Sequence, residues 1–489
     1  MKIVKRAAAP SLLSDIDHIV VLMLENRSFD HMLGFLYPGN KTPSGQPFDG
    51  LTGTESNPDA NGKAVKVYKI KATDSHPYFM PGADPAEGYA ATNLQLFGTE
   101  TPAANAKPAN QGFVTDFATA ITADMNPARH RPIMPGTTAS DIMAIYTPQL
   151  LPVMSTLARS YAVSDRWFAS APTETFPNRA FVAMATSQGT MNDDTSLYTA
   201  KPIFQAMDEA PGKPTWVIYG DKNHPLTQGS IQYLKNLGSV PNIGLFTDFS
   251  AAAANGTLAN YVFLEPTWGT KGNSQHPNYD VSLGEQIILD VYNTLRTSPV
   301  WNKTLLIIVF DEHGGCYDHV PPPYGAAVPD DSTGEYGFDF KRFGVRVPAI
   351  LVSPLIAPNT VLRAPASGPP FDHTSILKTI EKRFGAASLT ARDAAAPDLG
   401  AVLTLKTPRT DNPLAKVKAP KSVAPPVPLG NAPDHIQLTA ARNAARMHVA
   451  GERKQHAEDM PRFRSGKDAQ KWTEERTKKA VATAPRKRK

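Results

Sequence analysis

Five apolar runs of strand length limit what this chain can fold into: HIVVLML (18–24), TWVIYGD (215–221), YVFLE (261–265), LLIIVFDE (305–312) and VPAILVSP (347–354). They alternate with longer segments able to hold helices. Runs that are apolar on both faces belong in a sheet covered on both sides. The pattern therefore predicts an α/β sandwich with a mostly parallel central sheet and helices on both faces. In such sheets the functional groups stand just past the carboxyl ends of the strands.

Two of those ends carry chemistry. The first run leads directly into Glu25 and Asn26, and LLIIVF leads into Asp311 and Glu312. If the two strands are parallel neighbours, three carboxylates and an amide converge at one edge, where like charges repel unless a cation joins them. No Lys or Arg stands beside Asp311 and Glu312 in the chain to neutralise them. The expectation is a metal site made of oxygen donors. That suits Ca²⁺, Mg²⁺ or Mn²⁺, with Zn²⁺ open if histidines join. Either pair alone would also serve as a helix cap or a loop acid.

A third segment, SDRWFASAPTETFPNRAFVAMATSQG (164–189), passes from a hydroxyl-rich loop into a helix expected to begin near Pro177. Thr175 would sit just before that helix, where free N–H groups and the helix dipole favour an anion. Such a threonine is a good N-cap. Beside a metal it is also a candidate nucleophile toward phosphorus.

At 489 residues, 41% hydrophobic and 19% charged, the chain can bury a large core, as one elaborated domain or two. No run approaches the roughly 18 consecutive apolar residues of a membrane-spanning helix. The N-terminus, MKIVKRAAAPSLLSD, lacks the apolar stretch of a secretory leader, so the expectation is a cytoplasmic protein or one exported by a leaderless route. With Cys316 as the only cysteine, an intramolecular disulfide is excluded.

The net charge of +5 is local. From Gly451 onward, 13 Lys or Arg stand against 6 Asp or Glu, a net +7, which leaves −2 for the rest. Three parts are expected: a catalytic body over 1–405, a Pro/Lys/Ala-rich extended linker over 406–433, and a basic tail over 434–489 that is helical or disordered. The tail suits peripheral contact with an anionic membrane. Nucleic acid is not the expected partner, since only the tail speaks for it.

ENRSFDH (25–31), TFPNR (175–179), DEHGGCYDHV (311–320) and GVRVPAILVSP (344–354) follow one another over about 330 residues. Together they resemble the bacterial and plant phosphoesterase family that contains non-specific and phosphatidylcholine-preferring phospholipases C and related acid phosphatases. The resemblance implies an alkaline-phosphatase-like α/β fold. It also implies a metal site of Glu25, Asn26, Thr175, Asp311 and Glu312, with Thr175 both ligand and nucleophile. His276, in SQHPNYD, resembles the family's His-Pro segment and is the expected general acid and base. His373, in FDHTSILK, and His319, in DHV, are candidates for the phosphate pocket.

One position departs from the family pattern: where many relatives carry DPxH, GADPAEG places Glu87 at the histidine. That carboxylate is expected to be a proton donor, a mark of altered head-group preference, or a surface residue. The implied activity is metal-dependent phospholipase C cleavage of a phospholipid through a phosphothreonine. Acid phosphatase is the alternative within the family, and an inactive lipid- or nucleic-acid-binding relative is the alternative outside enzymes. Trp167, Trp268 and Tyr324 are either cage aromatics for a choline head group or core.

Overall fold

The computed structural model describes residues 12–125, 133–193, 197–222, 225–237, 242–269, 272–422, 433, 435–446 and 460–483. At its centre is an eight-stranded sheet. Its strands are β1 (His18–Leu24), β2 (Ala162–Ser164), β3 (Trp216–Gly220), β4 (Ile243–Leu245), β5 (Tyr261–Glu265), β6 (Thr304–Phe310), β7 (Ala349–Val352) and β8 (Thr360–Val361). Their spatial order is β8-β2-β7-β6-β1-β5-β3-β4. Only β7 runs against its neighbours; every other pair is parallel.

All five apolar runs form strands of this sheet, and three short strands join them. Every residue of β6 and all but His18 in β1 are buried, so these strands have no solvent-facing side. This matches the expected α/β class: β-branched and leucine side chains fill both faces of a central parallel sheet.

Helices cover it: α1 (Phe29–Leu33), α2 (Pro152–Ser160), α3 (Thr175–Met184), α4 (Leu226–Ser230), α5 (Val281–Arg296), α6 (Thr374–Phe384), α7 (His435–Arg446) and α8 (Gly466–Thr483). α5 packs on α2 and α6 on α3. Two buried acids hold helix starts in place. Glu285 accepts the Val153 and Met154 N–H groups at 2.6 and 3.0 Å, and Glu265, at the end of β5, accepts those of Leu226 and Thr227 at 2.6 and 3.1 Å. No helix among the described residues is long and apolar enough to cross a membrane.

The segment expected to begin an extended linker at 406 lies on the body instead. Leu414 is buried in the main core, Arg409 donates to the Ile356 carbonyl at 3.2 Å, and Tyr292 donates to Asn412 at 3.1 Å. Leu414, with Val417 and Ala419 packed against the same core, and a few polar contacts fix a Pro-rich segment that has no helix or strand among its described residues. Residues 423–432 of the expected linker fall outside the described residues. In the tail, α7 and α8 pack on each other and α7 on α4. Gln437, Ala440, Gln470 and Thr473 share a cavity of about 40 Å³ with Leu226 and Trp268.

Candidate active site

β1 and β6 are parallel neighbours, with Leu24 opposite Phe310, so Glu25-Asn26 and Asp311-Glu312 leave the sheet side by side. Asn26 adopts a left-handed conformation (φ 57°), which asparagine tolerates better than most residues. That turn directs its N–H to Asp311 Oδ1 at 3.0 Å. Across from it, Gly314 (φ 59°) passes so near that a Cβ would lie 2.0 Å from the Asn26 carbonyl oxygen. The two strand ends are therefore locked together by backbone as well as by side chains.

TFPNR is built residue by residue for the third side. Thr175 is the first residue of α3, two positions before the expected start at Pro177, and Pro177 sits in the first turn, where its missing N–H costs nothing. Phe176 N–H is satisfied by Asp193 at 2.8 Å. Asn178 folds the hydroxyl-rich loop back by donating to the Ala171, Thr173 and Glu174 carbonyls and accepting from Ala171 N–H. Thr175 Oγ1 donates to Asn26 Oδ1 at 3.1 Å, and Asn26 Nδ2 in turn donates to Glu87 Oε2 at 2.6 Å.

Arg179 corrects one expectation. Nothing in the neighbouring sequence neutralises Asp311, but the fold brings Arg179 Nε to Asp311 Oδ2 at 2.9 Å, with both groups buried. The guanidinium also lies 4.5 Å from the ring centroid of Trp268. One turn of α3 carries it from Thr175 to the strand end.

The remaining acids are left in need. Glu25 is wholly buried, and among the described residues neither of its carboxylate oxygens has a partner at ordinary hydrogen-bond distance, although the Ser274 side chain lies near enough to lower its proton affinity; Glu312 Oε1 is likewise unbonded. Burial pushes Glu25 up to about 7; His276 and Arg179 pull it down and Asp311 pushes it further up. Burial raises Glu312 well above the usual carboxylate range, reinforced by Glu87 and Asp311. Burial also raises Asp311 against the pull of Arg179. Unsatisfied buried carboxylates that repel one another are what a bound cation relieves.

His276 is at the site. Its Nδ1 is 2.9 Å from the Pro277 carbonyl and 3.8 Å from Asp84 Oδ1, and its Nε2 is 3.9 Å from Glu87 Oε2. Asp84, Glu87 and His276 thus converge, and Glu87 is a buried member of the site, not a surface residue. His373 is also here but in another capacity: Nε2 is 2.6 Å from the Asp311 carbonyl and Nδ1 receives the Trp167 indole N–H at 3.4 Å. Both ring nitrogens are engaged, and burial holds its imidazole down at about 4.

His319 is not brought to this pocket. It sits in a separate cluster, with Nδ1 2.6 Å from Asp30 and Nε2 3.4 Å from Asp49. Of the aromatics, Trp167 is wholly buried against Phe371, Trp268 covers Arg179, and Tyr324 is exposed. They do not form one cage.

Three residues that the fold brings to this site escaped the sequence reading. Arg179 lay inside a quoted motif, and Asp84 lay three residues before Glu87, a spacing that could have flagged the pair. His313, adjacent to Glu312, bonds to Glu312 Oε2 at 3.1 Å and Gln95 Oε1 at 2.7 Å, and burial holds it neutral, down at about 3.

With this geometry in place, comparison with known proteins gives a consistent result. The sequence profile of the Phosphoesterase family matches residues 16–387. Non-specific phospholipase C3 of Arabidopsis thaliana is 36% identical over 432 residues, covering 84% of this chain and 77% of that protein. Non-specific phospholipase C1 of the same plant is 37% identical over 419 residues, covering 81% and 72%. Phospholipase C A of Mycobacterium tuberculosis is 28% identical, covering 82% and 79%. Among solved structures, a protein of the alkaline phosphatase superfamily from Vibrio parahaemolyticus overlaps 51% of this chain and 64% of its own, at 13% identity and a TM-score of 0.30.

Proposed function

The chain belongs to the Phosphoesterase family and is a phosphoric ester hydrolase, and on that basis we propose that it is a divalent-metal-dependent enzyme of phospholipase C type, acting through a phosphothreonine. The observation that carries the metal dependence is Glu25, wholly buried with neither oxygen at ordinary hydrogen-bond distance from a partner among the described residues, one strand from Asp311 and Glu312. The donor types suit a hard cation, namely the Glu25, Glu312 and Asp311 carboxylates, the Asn26 amide oxygen and the Thr175 hydroxyl, while the acids and histidine of this site that converge closely enough to share one ion are Asp84, Glu87 and His276. When bound, the cation would draw charge from the phosphoryl oxygens and favour loss of the neighbouring hydroxyl proton.

The chain's own groups supply the rest. Thr175, held by Asn26 at the start of α3, gives its hydroxyl proton to solvent, and its Oγ1 bonds to phosphorus as the bond to the diacylglycerol oxygen breaks. That oxygen takes a proton from His276. In the second step water gives one proton to His276 and attacks phosphorus, releasing the phosphorylated head group, and the threonine oxygen regains a proton from solvent. Asp84 and Glu87 set negative charge on two sides of that ring. His373 works by position, holding the Asp311 backbone while Arg179 holds its carboxylate. The plant relatives' names favour a phospholipid substrate, and the basic tail is the part that would meet an anionic bilayer.

The test is turnover of phosphatidylcholine vesicles with and without anionic lipid, a diester chromogen and a monoester chromogen, each with chelator or added divalent cation. Cation-dependent turnover favouring lipid supports the proposal. Preference for the monoester makes the protein an acid phosphatase. Turnover that survives complete chelation overturns the metal dependence.

A further inference from the structure

Arg27, two residues past Glu25, is wholly buried, yet its hydrogen bonds do not end on a carboxylate. Nε donates to the Gln275 carbonyl at 2.6 Å, Nη2 to the His276 carbonyl at 3.1 Å and Nη1 to the Met80 carbonyl at 2.6 Å; Nη1 is also 2.9 Å from His31 Nε2. Burial, with the charge of Arg27 added, keeps His31 well below its ordinary range, so its nitrogen is free to accept. A buried arginine serving stability is ordinarily neutralised by acids, as Arg346 is here by Asp30 and Asp318. Arg27 instead ties two pieces of backbone, through three carbonyls, to the end of β1.

Those pieces are the ones that carry the groups the sheet does not supply. Met80 precedes the Asp84 and Glu87 turn, and Gln275 and His276 are the loop of the proposed acid and base. That loop is strained at Gln275, just before His276, where φ is 69°; Asn278 beyond it has the same φ, which asparagine tolerates better. Non-glycine residues stay there only when their surroundings over-determine them. Glu25 N–H grips the loop at the Ser274 carbonyl at 2.9 Å, and Arg27 grips the next two carbonyls. From the opposite side, Gly284 of α5 leaves room for the Gln275 side chain; a Cβ there would lie 2.0 Å from Gln275 Cγ.

We propose that Arg27 is a positioning residue for proton transfer, holding the His276 loop in register with the strand end that carries Glu25 and Asn26. This rests on His276 being the general acid. The consequence is selective. A misplaced acid slows departure of a poor leaving group such as an alkoxide and hardly affects one that needs no proton, such as nitrophenolate. Loss of folded or metal-loaded protein slows both alike.

The test measures kcat/KM, which covers only the steps up to departure of the leaving group, for an alkyl and a nitrophenyl ester of the same phosphate in wild type, Arg27→Met, Arg27→Lys, Gly284→Ala and His276→Ala. The expected result is a loss of about 100-fold or more on the alkyl ester against less than about 10-fold on the nitrophenyl ester in Arg27→Met. Arg27→Lys should show the same bias at smaller size. Gly284→Ala, which displaces the loop without touching the buried charge, should show it too and keeps the test open if Arg27→Met does not fold. Equal losses on both esters in the Arg27 and Gly284 variants, with His276→Ala still selective, would overturn the role of Arg27 alone. A His276→Ala variant that treats both esters alike would instead remove the general acid itself, and this inference with it.

Discussion

Two buried acidic clusters lie at the edge of the same sheet, and they are finished differently. In one, Asp30 and Asp318 meet Arg346 at 2.9 Å each, His319 bonds to Asp30 at 2.6 Å, and Arg346 also donates to the Asp49 and Asp165 carbonyls at 2.8 Å. Two acids and a histidine there resemble a metal site only until Arg346 is counted; the chain has already supplied the cation. In the other, Arg179 satisfies one oxygen of Asp311 and leaves Glu25 and one oxygen of Glu312 unmatched. A cluster closed by its own arginine holds the fold together, and one left short of positive charge is poised for a ligand.

The largest effect that would sharpen this contrast is at Thr175. Thr175→Val keeps the shape and removes the hydroxyl, and should lower kcat by at least about 10³-fold while Thr175→Ser retains measurable turnover. Steady-state assays at saturating cation check it. Next comes Arg346→Met, which strands Asp30 and Asp318 in the interior and should cost about 3–5 kcal/mol of stability by denaturant unfolding. Cation affinity of the folded protein should be unchanged.

A third outcome concerns the cation itself. Saturation to about 100 times Kd should raise unfolding free energy by about 2.7 kcal/mol in wild type, and by little in Glu25→Gln, as read by thermal melts. The smallest effect is at His319. Burial lowers its affinity for a proton, but Asp30 and Asp49 outweigh that and lift it to about 10. A folded value above the unfolded one near 6.5 means the stabilisation is full below about 6.5 and is lost as pH rises through about 10. His319→Gln should therefore cost about 1.5 kcal/mol near pH 6 and progressively less toward about pH 10.

How much of this was legible in the sequence divides along the same line. The central strands and the acids that follow them could be read because burial on both faces leaves a local signature, and Glu25, Asn26, Asp311 and Glu312 follow β1 and β6 directly. The partners could not, because neutralisation is a long-range event. Arg179 reaches Asp311 across 132 positions and Arg346 reaches Asp30 across 316. Reading the acids without their arginines made His319 look like part of the phosphate pocket and Asp311 look unpaired. His373 lies at the site that the sequence pointed to, but its partners could not be read, because the Asp311 carbonyl and the Trp167 indole are 62 and 206 positions away.

The most direct test is a divalent-cation titration by calorimetry, with Mn²⁺, on the full chain in wild type, Glu25→Gln and His319→Gln. The account predicts tight binding in wild type, retained in His319→Gln and lost in Glu25→Gln. Binding that survives Glu25→Gln and disappears in His319→Gln would place the cation in the cluster that Arg346 was argued to close, and would contradict the account.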